Sequence, residues 1–258
     1  MRKTIFAVAL LLGGLVSATA QVISSDLTKG YAVGDNLERQ VYLDKKAPAF
    51  LHEWSGAFDS KGNELPSPVI VAPVLYPNYP EQGNAIRLGW DKGIKGSRFS
   101  CYTIAEDGKI KKGVYYLAAV VNLDKVGNTT ESELVGLTPN ATGGGGKYRV
   151  MVRRDEEDKK TMYFGCSLGK VVAMAEQPFV AGQTYLVVLK VDFAAGNVSL
   201  FVNPDLNSAE PAALCTALPD EENSTKWPLR AISLRNRNAY TGAIGGIRLT
   251  QSWDALKK

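Results

Sequence analysis

The fold is decided by Thr184-Tyr-Leu-Val-Val-Leu-Lys-Val-Asp192, which is followed by a short turn and then by Val198-Ser-Leu-Phe-Val-Asn203. Alternate residues of a strand point to opposite faces of a sheet. Positions 185–189 are apolar on both faces, which predicts a central strand that is covered on each side. Gly196 in the turn can adopt a positive φ without steric cost, as a tight hairpin requires. Pro204 ends the return strand because it has no N–H for the ladder.

Similar strand signals recur along the chain. Short runs of Val, Ile, Leu, Tyr and Phe alternate with clusters of Gly, Pro, Asn and Asp, a pattern typical of strands joined by turns. No stretch after residue 20 sustains a helical period over several turns. The sequence therefore predicts an all-β protein, with further strands near Val69–Leu75, Ala85–Trp90, Arg98–Ile104, Val114–Asn122, Tyr148–Arg153, Thr161–Cys166, Lys170–Ala175, Leu229–Leu234 and Gly246–Gln251.

Two polar stretches, Asn128–Lys147 and Glu210–Lys226, are predicted to be long surface loops. Neither stretch is accompanied by a shift in composition of the kind that marks a second domain. Residues 21–258 are therefore predicted to form a single domain.

Residues 1–20 have the pattern of a secretory signal peptide. Arg2 and Lys3 supply the positive start, Ile5–Val16 is apolar, and Ser17–Ala20 provides the small residues that signal peptidase accepts. We expect cleavage before Gln21 and export to the periplasm or the cell exterior. The apolar run is shorter than the roughly 20 residues that cross a bilayer, and no later segment approaches that length, so no membrane span is expected.

The charge balance argues against nucleic acid as a partner. The chain has a formal net charge of +4, which removal of Arg2 and Lys3 lowers to +2. Its basic residues are scattered along the sequence, whereas nucleic-acid-binding proteins concentrate them in patches or stripes. Nothing in the sequence indicates an oligomeric state.

Three cysteines, Cys101, Cys166 and Cys215, are compatible with two arrangements. Cys101 and Cys166 lie within strand-like runs, which favours buried, small apolar side chains. Export would alternatively permit one disulfide, and three cysteines allow three pairings between which the sequence does not choose.

The chain from Gly113 onward resembles a known family of jelly rolls. The segments that carry the resemblance are Gly113–Asn122, Thr184–Phe193, Gly196–Asp205, Leu229–Leu234 and Gly242–Leu249, followed by Ser252-Trp253. They are similar to exported concanavalin A-like, laminin-G-like domains of bacteria. The start of the chain is similar only through Tyr31 and Trp54-Ser55-Gly56. The resemblance implies a two-sheet antiparallel jelly-roll sandwich. Its members include sugar-binding lectins, laminarinase-like glycosidases and calcium-dependent adhesion modules, so the fold does not assign an activity.

The carboxylates form no recognisable catalytic pattern. A retaining glycosidase needs two carboxyl groups about 5–5.5 Å apart, and the laminarinase-type motif Glu-x-Asp-x-x-Glu is absent from the sequence. The acidic clusters Asp155–Asp158 and Asp220–Glu222 are flanked by lysines or polar residues, which indicates solvated turns. No catalytic residue is predicted.

Residue types typical of metal and phosphate sites are few. His52 is the only histidine, which excludes a multi-histidine metal site, and beside Trp54 it is interpreted as a packing residue. Gly143–Lys147 lacks the first Gly and the Ser or Thr of a phosphate loop, so we interpret it as an ordinary glycine-rich loop. Calcium would need several converging oxygen ligands. The candidate donors show no spacing that marks a site; they are Asp91, Asp124, Asn128, Asp192, Asn203 and Asp205. No cofactor is predicted, and calcium stays an alternative that no calcium-loop motif supports.

Aromatic side chains in loop-like stretches are the one feature that favours glycan binding. Sugar rings stack their apolar faces on Trp and Tyr. The candidate ligand-binding residues in or beside loops are Trp54, Tyr76, Tyr79, Trp90 and Trp227. Tyr76–Pro80 is predicted to be exposed because its prolines prevent regular strand pairing. The alternative is that these rings fill the ends of the sandwich, since aromatic residues are common in β-sheets.

Three functions are compatible with these features. The favoured one is a non-catalytic binding or adhesion module for polysaccharide outside the cytoplasm. It rests on the export signal, the jelly-roll resemblance and the absence of a recognisable acid pair. The second is a polysaccharide-cleaving enzyme whose acids lie outside the usual motif. The third is a structural or protein-interaction domain of the cell envelope, for which an exposed apolar patch would be the signature.

Overall fold

The computed structural model describes residues 22–24, 27–42, 51–57, 65–80, 82–90, 94, 96–105, 110–141 and 145–257. The predicted signal peptide, residues 1–20, lies outside the described residues. The described chain forms two β-sheets that pack face to face, which confirms the predicted all-β, two-sheet jelly-roll sandwich. Within this part of the chain, no helix has the length and hydrophobicity needed to cross a membrane.

The first sheet has eight strands and is built around the hairpin that the sequence predicts. Its strands are β1 (Val22–Ser24), β4 (Ile70–Val71), β5 (Ala85–Leu88), β7 (Val114–Val126), β13 (Thr184–Asp192), β14 (Asn197–Val202), β15 (Cys215–Ala217) and β17 (Tyr240–Thr250). They lie in the order β15-β14-β13-β7-β17-β5-β4, and β1 pairs with β17. In the β13–β14 hairpin, Asp192 lies opposite Asn197, and Gly196 in the turn has a φ of 73°.

The second sheet has nine strands. They are β2 (Gln40–Tyr42), β3 (Trp54–Ala57), β6 (Ser97–Thr103), β8 (Ser132–Thr138), β9 (Tyr148–Arg154), β10 (Thr161–Leu168), β11 (Val171–Met174), β12 (Phe179–Val180) and β16 (Ala231–Arg237). Their order is β11-β10-β9-β8-β16-β6-β3-β2, and β12 pairs with β10. Among the described strands of both sheets, every pair is antiparallel except β2 with β3.

The central strands of the first sheet are buried on both faces, as the sequence predicts. On the inner face, Leu117 of β7 and Leu189 of β13 belong to the core that the two sheets share. On the outer face, Tyr116 and Leu186 pack under a second apolar layer, which includes Trp253 of the 3-10 helix Trp253–Lys257. The other residues of the covering segments in this layer are Val74, Tyr76, Tyr79, Leu206, Ala213 and Leu256.

The prediction of one long loop over Asn128–Lys147 is wrong. Ser132–Thr138 forms β8, a fully buried strand between β9 and β16 at the centre of the second sheet. The predicted loop Glu210–Lys226 likewise contains the short strand β15. In contrast, the strand predicted near Val69–Leu75 is reduced to two residues, because Pro73 has no N–H to continue the ladder.

A buried ion pair lies on the inner face of the second sheet. Ser100 of β6 pairs opposite Leu234 of the core, and Arg98 shares its face. Arg98 Nε donates to Glu38 Oε1 at 2.8 Å, and Ser100 Oγ donates to the same oxygen at 2.5 Å. Burial raises the pKa of Glu38 although both bonds act to lower it. Gly56 makes the close approach possible, since a Cβ at this position would lie 2.2 Å from the Glu38 carboxyl group.

We expect Gly56→Ala to destabilise the fold by about 3 kcal/mol, because the new methyl group displaces the Glu38 carboxylate and leaves buried Arg98 without its partner. Chemical denaturation followed by tryptophan fluorescence measures the change. Gly127→Ala is the matched control, since its Cβ would meet the Ala239 carbonyl oxygen at 3.5 Å, an ordinary contact distance. Equal stability of the two variants would contradict the role of Gly56.

Cys166 and Cys215 lie against each other across the core. Cys166 is in β10 of the second sheet, Cys215 is in β15 of the first, and their Sγ atoms are 3.8 Å apart. The bond with the Cys166 thiol lowers the pKa of Cys215, which favours its reactive thiolate form. Cys101 is fully buried in β6. All three cysteines are free thiols, and the structure brings Cys166 and Cys215 within reach of each other.

Treatment with oxidised glutathione is expected to join Cys166 to Cys215. The two thiols give up two electrons and two protons to the reagent, which is reduced to two thiols. Peptide mapping by mass spectrometry identifies the linked pair, and the bridge between the sheets is expected to stabilise the protein by about 2–4 kcal/mol. Cys215→Ser should abolish this gain, whereas Cys101→Ser should retain it. A cross-link that involves Cys101 would contradict the assignment.

Candidate functional site

A groove lies on the outer side of the first sheet, between two of the segments that cover it. Residues 76–79 form its first wall and residues 203–207, which follow β14, form its second wall. Leu186 of β13 contributes to the lining between them. The groove has a volume of about 340 Å³, which is within the range of about 300–1,000 Å³ typical of small-ligand sites.

The first wall is fixed from behind by hydrogen bonds. Gln82 Nε2 donates to the carbonyl oxygens of Tyr76 and Tyr79, each at 2.8 Å, and Gln82 Oε1 accepts from the Tyr76 N–H. The Tyr79 hydroxyl donates to the Gly246 carbonyl oxygen at 2.8 Å. Between the two tyrosines, Asn78 has a φ of 60° and an exposed side chain. The wall therefore presents Tyr76 and Asn78 to the groove.

The second wall begins with a hydrogen-bonded asparagine. Asn203 Oδ1 accepts from the Leu186 N–H at 3.0 Å, so the exposed amide keeps its NH2 group for a ligand. Farther along, Asp205 accepts from the Ser208 hydroxyl at 2.6 Å and from the Asn207 N–H at 3.0 Å. These two bonds hold the pKa of Asp205 below its usual range. Asp205 is therefore negatively charged at neutral pH.

The groove combines a flat ring with polar groups. Tyr76 is half-buried and supplies an apolar surface on which a ring can stack. The amides of Asn78, Asn203 and Asn207 can donate and accept hydrogen bonds, and the Asp205 carboxylate accepts them. Asp205 is the one carboxylate in the described lining, so this groove does not supply the two acids of a glycosidase.

The five aromatic residues proposed from the sequence do not form one platform. Trp54 is fully buried, and its indole N–H donates to the Leu27 carbonyl oxygen at 2.9 Å. Tyr79 is buried beside Gly246. Both rings are occupied by packing and offer no open face to a ligand. Tyr76 is the aromatic residue of the five that is half-buried and lines the groove.

The remaining two tryptophans lie outside the groove lining. Trp90 is half-buried beside a smaller cavity of about 70 Å³. Trp227 packs edge-on against Tyr148, with 6.3 Å between the ring centroids. The ammonium groups of Lys147 and Lys226 each lie 5.2 Å from the centre of its ring. Trp227 is thus partly covered by cations.

The other candidate residues are dispersed. His52 is exposed and lies 6.2 Å from the Tyr102 ring centre. Asp155 and Asp220 accept backbone N–H bonds within their own exposed turns, which lowers the pKa of each carboxyl group. The turn interpretation of both acidic clusters is confirmed. Among the residues that the structure describes, no group of three His, Cys, Asp or Glu side chains is placed to hold a metal ion.

Half of the groove was not predicted from the sequence. The tyrosines of the first wall were candidates for glycan binding, whereas Asn203-Pro204-Asp205 was interpreted as the end of a strand, with Asn203 and Asp205 as candidate calcium donors. The available signal was a shared composition, since each wall has an asparagine next to a proline: Asn78 follows Pro77, and Asn203 precedes Pro204. The proximity of the two segments is a tertiary contact, which a local pattern does not encode.

Comparison with known proteins gives no family. No protein-family model matches the chain, and no curated protein sequence matches it. Solved structures of similar shape include the globular domain of T. cruzi calreticulin, which is 11% identical with a TM-score of 0.47 and covers 88% of this chain and 90% of that chain.

Two further structures of similar shape are one domain of an enzyme and a lectin. Domain 4 of a GH43 extracellular arabinanase from Geobacillus stearothermophilus, in complex with arabinotriose, is 11% identical with a TM-score of 0.46 and covers 80% of this chain and 88% of that chain. Lectin I-B4 from Griffonia simplicifolia, in its metal-free form, is 9% identical with a TM-score of 0.39. The match covers 64% of this chain and 86% of that chain. These likenesses are too distant to indicate a function.

Proposed function

We propose that this protein is an exported, non-catalytic module that binds polysaccharide through the groove between residues 76–79 and 203–207. The observation that carries the proposal is the composition of the groove, in which the ring of Tyr76 lies together with three amides and one carboxylate. A pyranose ring has apolar faces that stack on an aromatic ring and hydroxyl groups at its edge that need both donors and acceptors.

The charge in the groove favours a neutral sugar. Asp205 is ionised at neutral pH, because bonds from Ser208 and Asn207 stabilise its charged form. A carboxylate or sulfate on the ligand would be repelled at this position. A neutral sugar hydroxyl can instead donate to the Asp205 carboxylate in a charge-assisted hydrogen bond, which is stronger than a bond between neutral groups.

The absence of a catalytic role is supported by the same lining. Glycoside hydrolysis requires a second carboxyl group across the bond that is cleaved, and the described lining contains Asp205 alone. Export is supported by the pattern of residues 1–20, which have a positive start, an apolar run and a small-residue cleavage site. The place of action would then be the periplasm or the cell exterior.

The test begins with binding of the purified protein to an array of neutral and acidic glycans, with and without calcium. Isothermal titration calorimetry then measures the affinity for the neutral oligosaccharide that binds best. We expect Tyr76→Ala to weaken binding about tenfold, which corresponds to the loss of roughly 1.4 kcal/mol of stacking and burial. Asp205→Asn should weaken it to a similar degree, because the charge on the acceptor is lost while the shape of the turn is kept.

Three variants serve as controls for this test. Tyr76→Phe keeps the ring and is expected to retain most of the affinity. Trp90→Ala and Trp227→Ala remove half-buried rings outside the groove and are expected to bind like the parent protein. The proposal fails if no neutral glycan binds, or if binding is lost in either tryptophan variant and kept in Tyr76→Ala.

A further inference from the structure

Three arginines lie together on the outer face of the second sheet. Arg149 of β9 alternates with Tyr148 and Val150, which are core residues, so it points away from the core. Arg235 and Arg237 occupy the corresponding positions of β16, where they alternate with the buried side chains of Leu234 and Asn236. Burial lowers the pKa of the Arg149 and Arg237 guanidinium groups. Electrostatic repulsion from Arg235 lowers it further.

One buried carboxylate lies among these arginines. Glu133 is in β8, the strand that lies within the predicted loop Asn128–Lys147, and it is almost fully buried. Its Oε2 is 3.9 Å from Arg235 Nη1 and 4.0 Å from Arg149 Nη1, so it is shared between them without a close hydrogen bond to either. Its Oε1 accepts from the Gly146 N–H at 2.6 Å. Burial raises the pKa of Glu133, and the nearby arginines oppose that shift.

The backbone around Glu133 is shaped to hold this cluster. A Cβ at Gly136 would lie 2.4 Å from the Tyr148 carbonyl oxygen and 3.1 Å from Arg149 Cγ. A Cβ at Gly146 would lie 2.8 Å from Arg149 Cγ and 3.0 Å from Glu133 Oε1. Both glycines therefore leave space that the Arg149 side chain and the Glu133 carboxylate occupy.

A tyrosine from the other sheet supports the same region. The hydroxyl of Tyr240 in β17 shares its one proton between the carbonyl oxygen of Glu133, at 2.8 Å, and that of Arg235. Burial raises the pKa of Tyr240, so its hydroxyl stays protonated and can donate. The backbone of β8 and that of β16 are thus held at the point where Glu133 and Arg235 emerge.

Part of the positive charge lacks a close partner. Arg149 is held in place, since its Nε donates to Ser167 Oγ at 2.6 Å and its Nη2 donates to the Gly169 carbonyl oxygen. Arg235 Nε, in contrast, is buried with no hydrogen-bond acceptor among the described residues. The hydrogen bond that Arg235 Nη2 donates to Ser97 Oγ is long, at 3.4 Å. Among the described residues, none accepts a hydrogen bond from the side chain of Arg237. A buried donor without an acceptor costs about 1–3 kcal/mol, which an anionic ligand beside it could offset.

Arg237 opens into a shallow hollow on the surface. The hollow has a volume of about 400 Å³ and is lined by Ser97, Asn128, Arg237 and Asn238. The half-buried ring of Phe99 lies close by, 5.0 Å from Arg235 Cζ. Hydroxyl and amide groups beside a guanidinium provide donors and acceptors for a polyhydroxylated ligand that also carries a negative charge.

We propose that this arginine site, formed by Arg237 in the hollow with Arg235, Arg149 and Glu133 behind it, binds the carboxylate or sulfate group of an acidic saccharide. It is a second site, on the opposite sheet from the groove, and it does not depend on the groove's function. The planar guanidinium matches an oxyanion with two parallel hydrogen bonds. The small hollow and the scattered charges elsewhere on the chain favour a single acidic group on a sugar over the regular phosphates of a nucleic acid.

Titration calorimetry with defined oligosaccharides tests this proposal. The probes are tetragalacturonic acid and its methyl ester, together with a sulfated galactose oligosaccharide and its desulfated form. We expect the carboxylate or the sulfate form to bind and its neutral counterpart to bind at least tenfold more weakly. The acidic form that binds more tightly shows whether the site prefers a carboxylate or a sulfate. Added sodium chloride should weaken the interaction, because salt screens the charges.

Variants locate the interaction. Arg237→Gln is expected to weaken binding of the acidic probe about 10- to 100-fold, the effect of losing a hydrogen bond between charged groups. Arg237→Lys should give an intermediate affinity, because it keeps the charge and loses the planar fork. Arg153→Gln is the matched control, since Arg153 is on the same strand face as Arg149 but stacks on Tyr163 at 4.5 Å. Asp205→Asn reports on the groove separately and should leave acidic binding unchanged.

Four results would overturn the proposal. These are neutral probes that bind as tightly as acidic ones, parent affinity in Arg237→Gln, equal losses in Arg153→Gln, and no binding of any acidic probe at millimolar concentration. A single-stranded DNA oligonucleotide that binds more tightly than the saccharides, with the same sensitivity to Arg237→Gln, would replace the saccharide with a nucleic acid. Thermal unfolding of each variant confirms that the fold is intact.

Discussion

Burial of β7 and β13 on both of their faces is the constraint from which the surface of this protein follows. An apolar sheet face exposed to water is unfavourable by roughly 25 cal/mol for each Å². The outer face of the first sheet, around Tyr116 and Leu186, therefore needs a cover that a simple sandwich does not provide. Three segments supply it: the residues before β5, those after β14, and the C-terminal 3-10 helix. The groove is the gap that remains where two of these segments meet.

The cover also explains why so few aromatic rings are available to a ligand. Trp253 packs edge-on against both Tyr116 and Phe201, and Tyr79 is enclosed beside Gly246. These rings stabilise the covering layer through contacts that require them to be buried.

The second sheet has a different outer face. Its outer face carries Arg149, Arg235, Arg237 and Glu133, and the described Gly145 and Gly146 lie against the Glu133 carboxylate. The outer faces of the two sheets thus differ in character, one covered by an apolar layer and the other carrying charged side chains.

The hairpin of β13 and β14 could be predicted from sequence because its pattern is local and redundant: alternation, a glycine in the turn and a following proline agree with each other. Strand β8 could not be predicted in this way. Its outer-face positions hold Glu133 and Gly136, which have low strand propensity, and they are tolerated because Arg149, Arg235 and Gly146 surround them. Those partners come from two other segments, residues 146–149 and β16. The position of Trp54 is a similar case, since a local pattern does not tell which face of its strand meets the core.

The hydroxyl of Tyr240 has a mechanical consequence. It crosses from the first sheet to two carbonyl groups on neighbouring strands of the second, so sliding one sheet past the other would pull a buried donor away from both acceptors. Shear of the sandwich is therefore resisted at the place from which Arg235 projects. A side chain on such a stiff support has less freedom to lose when it is immobilised by a ligand. The first sheet would thus increase the ligand selectivity of the arginine surface on the second sheet by holding that surface rigid.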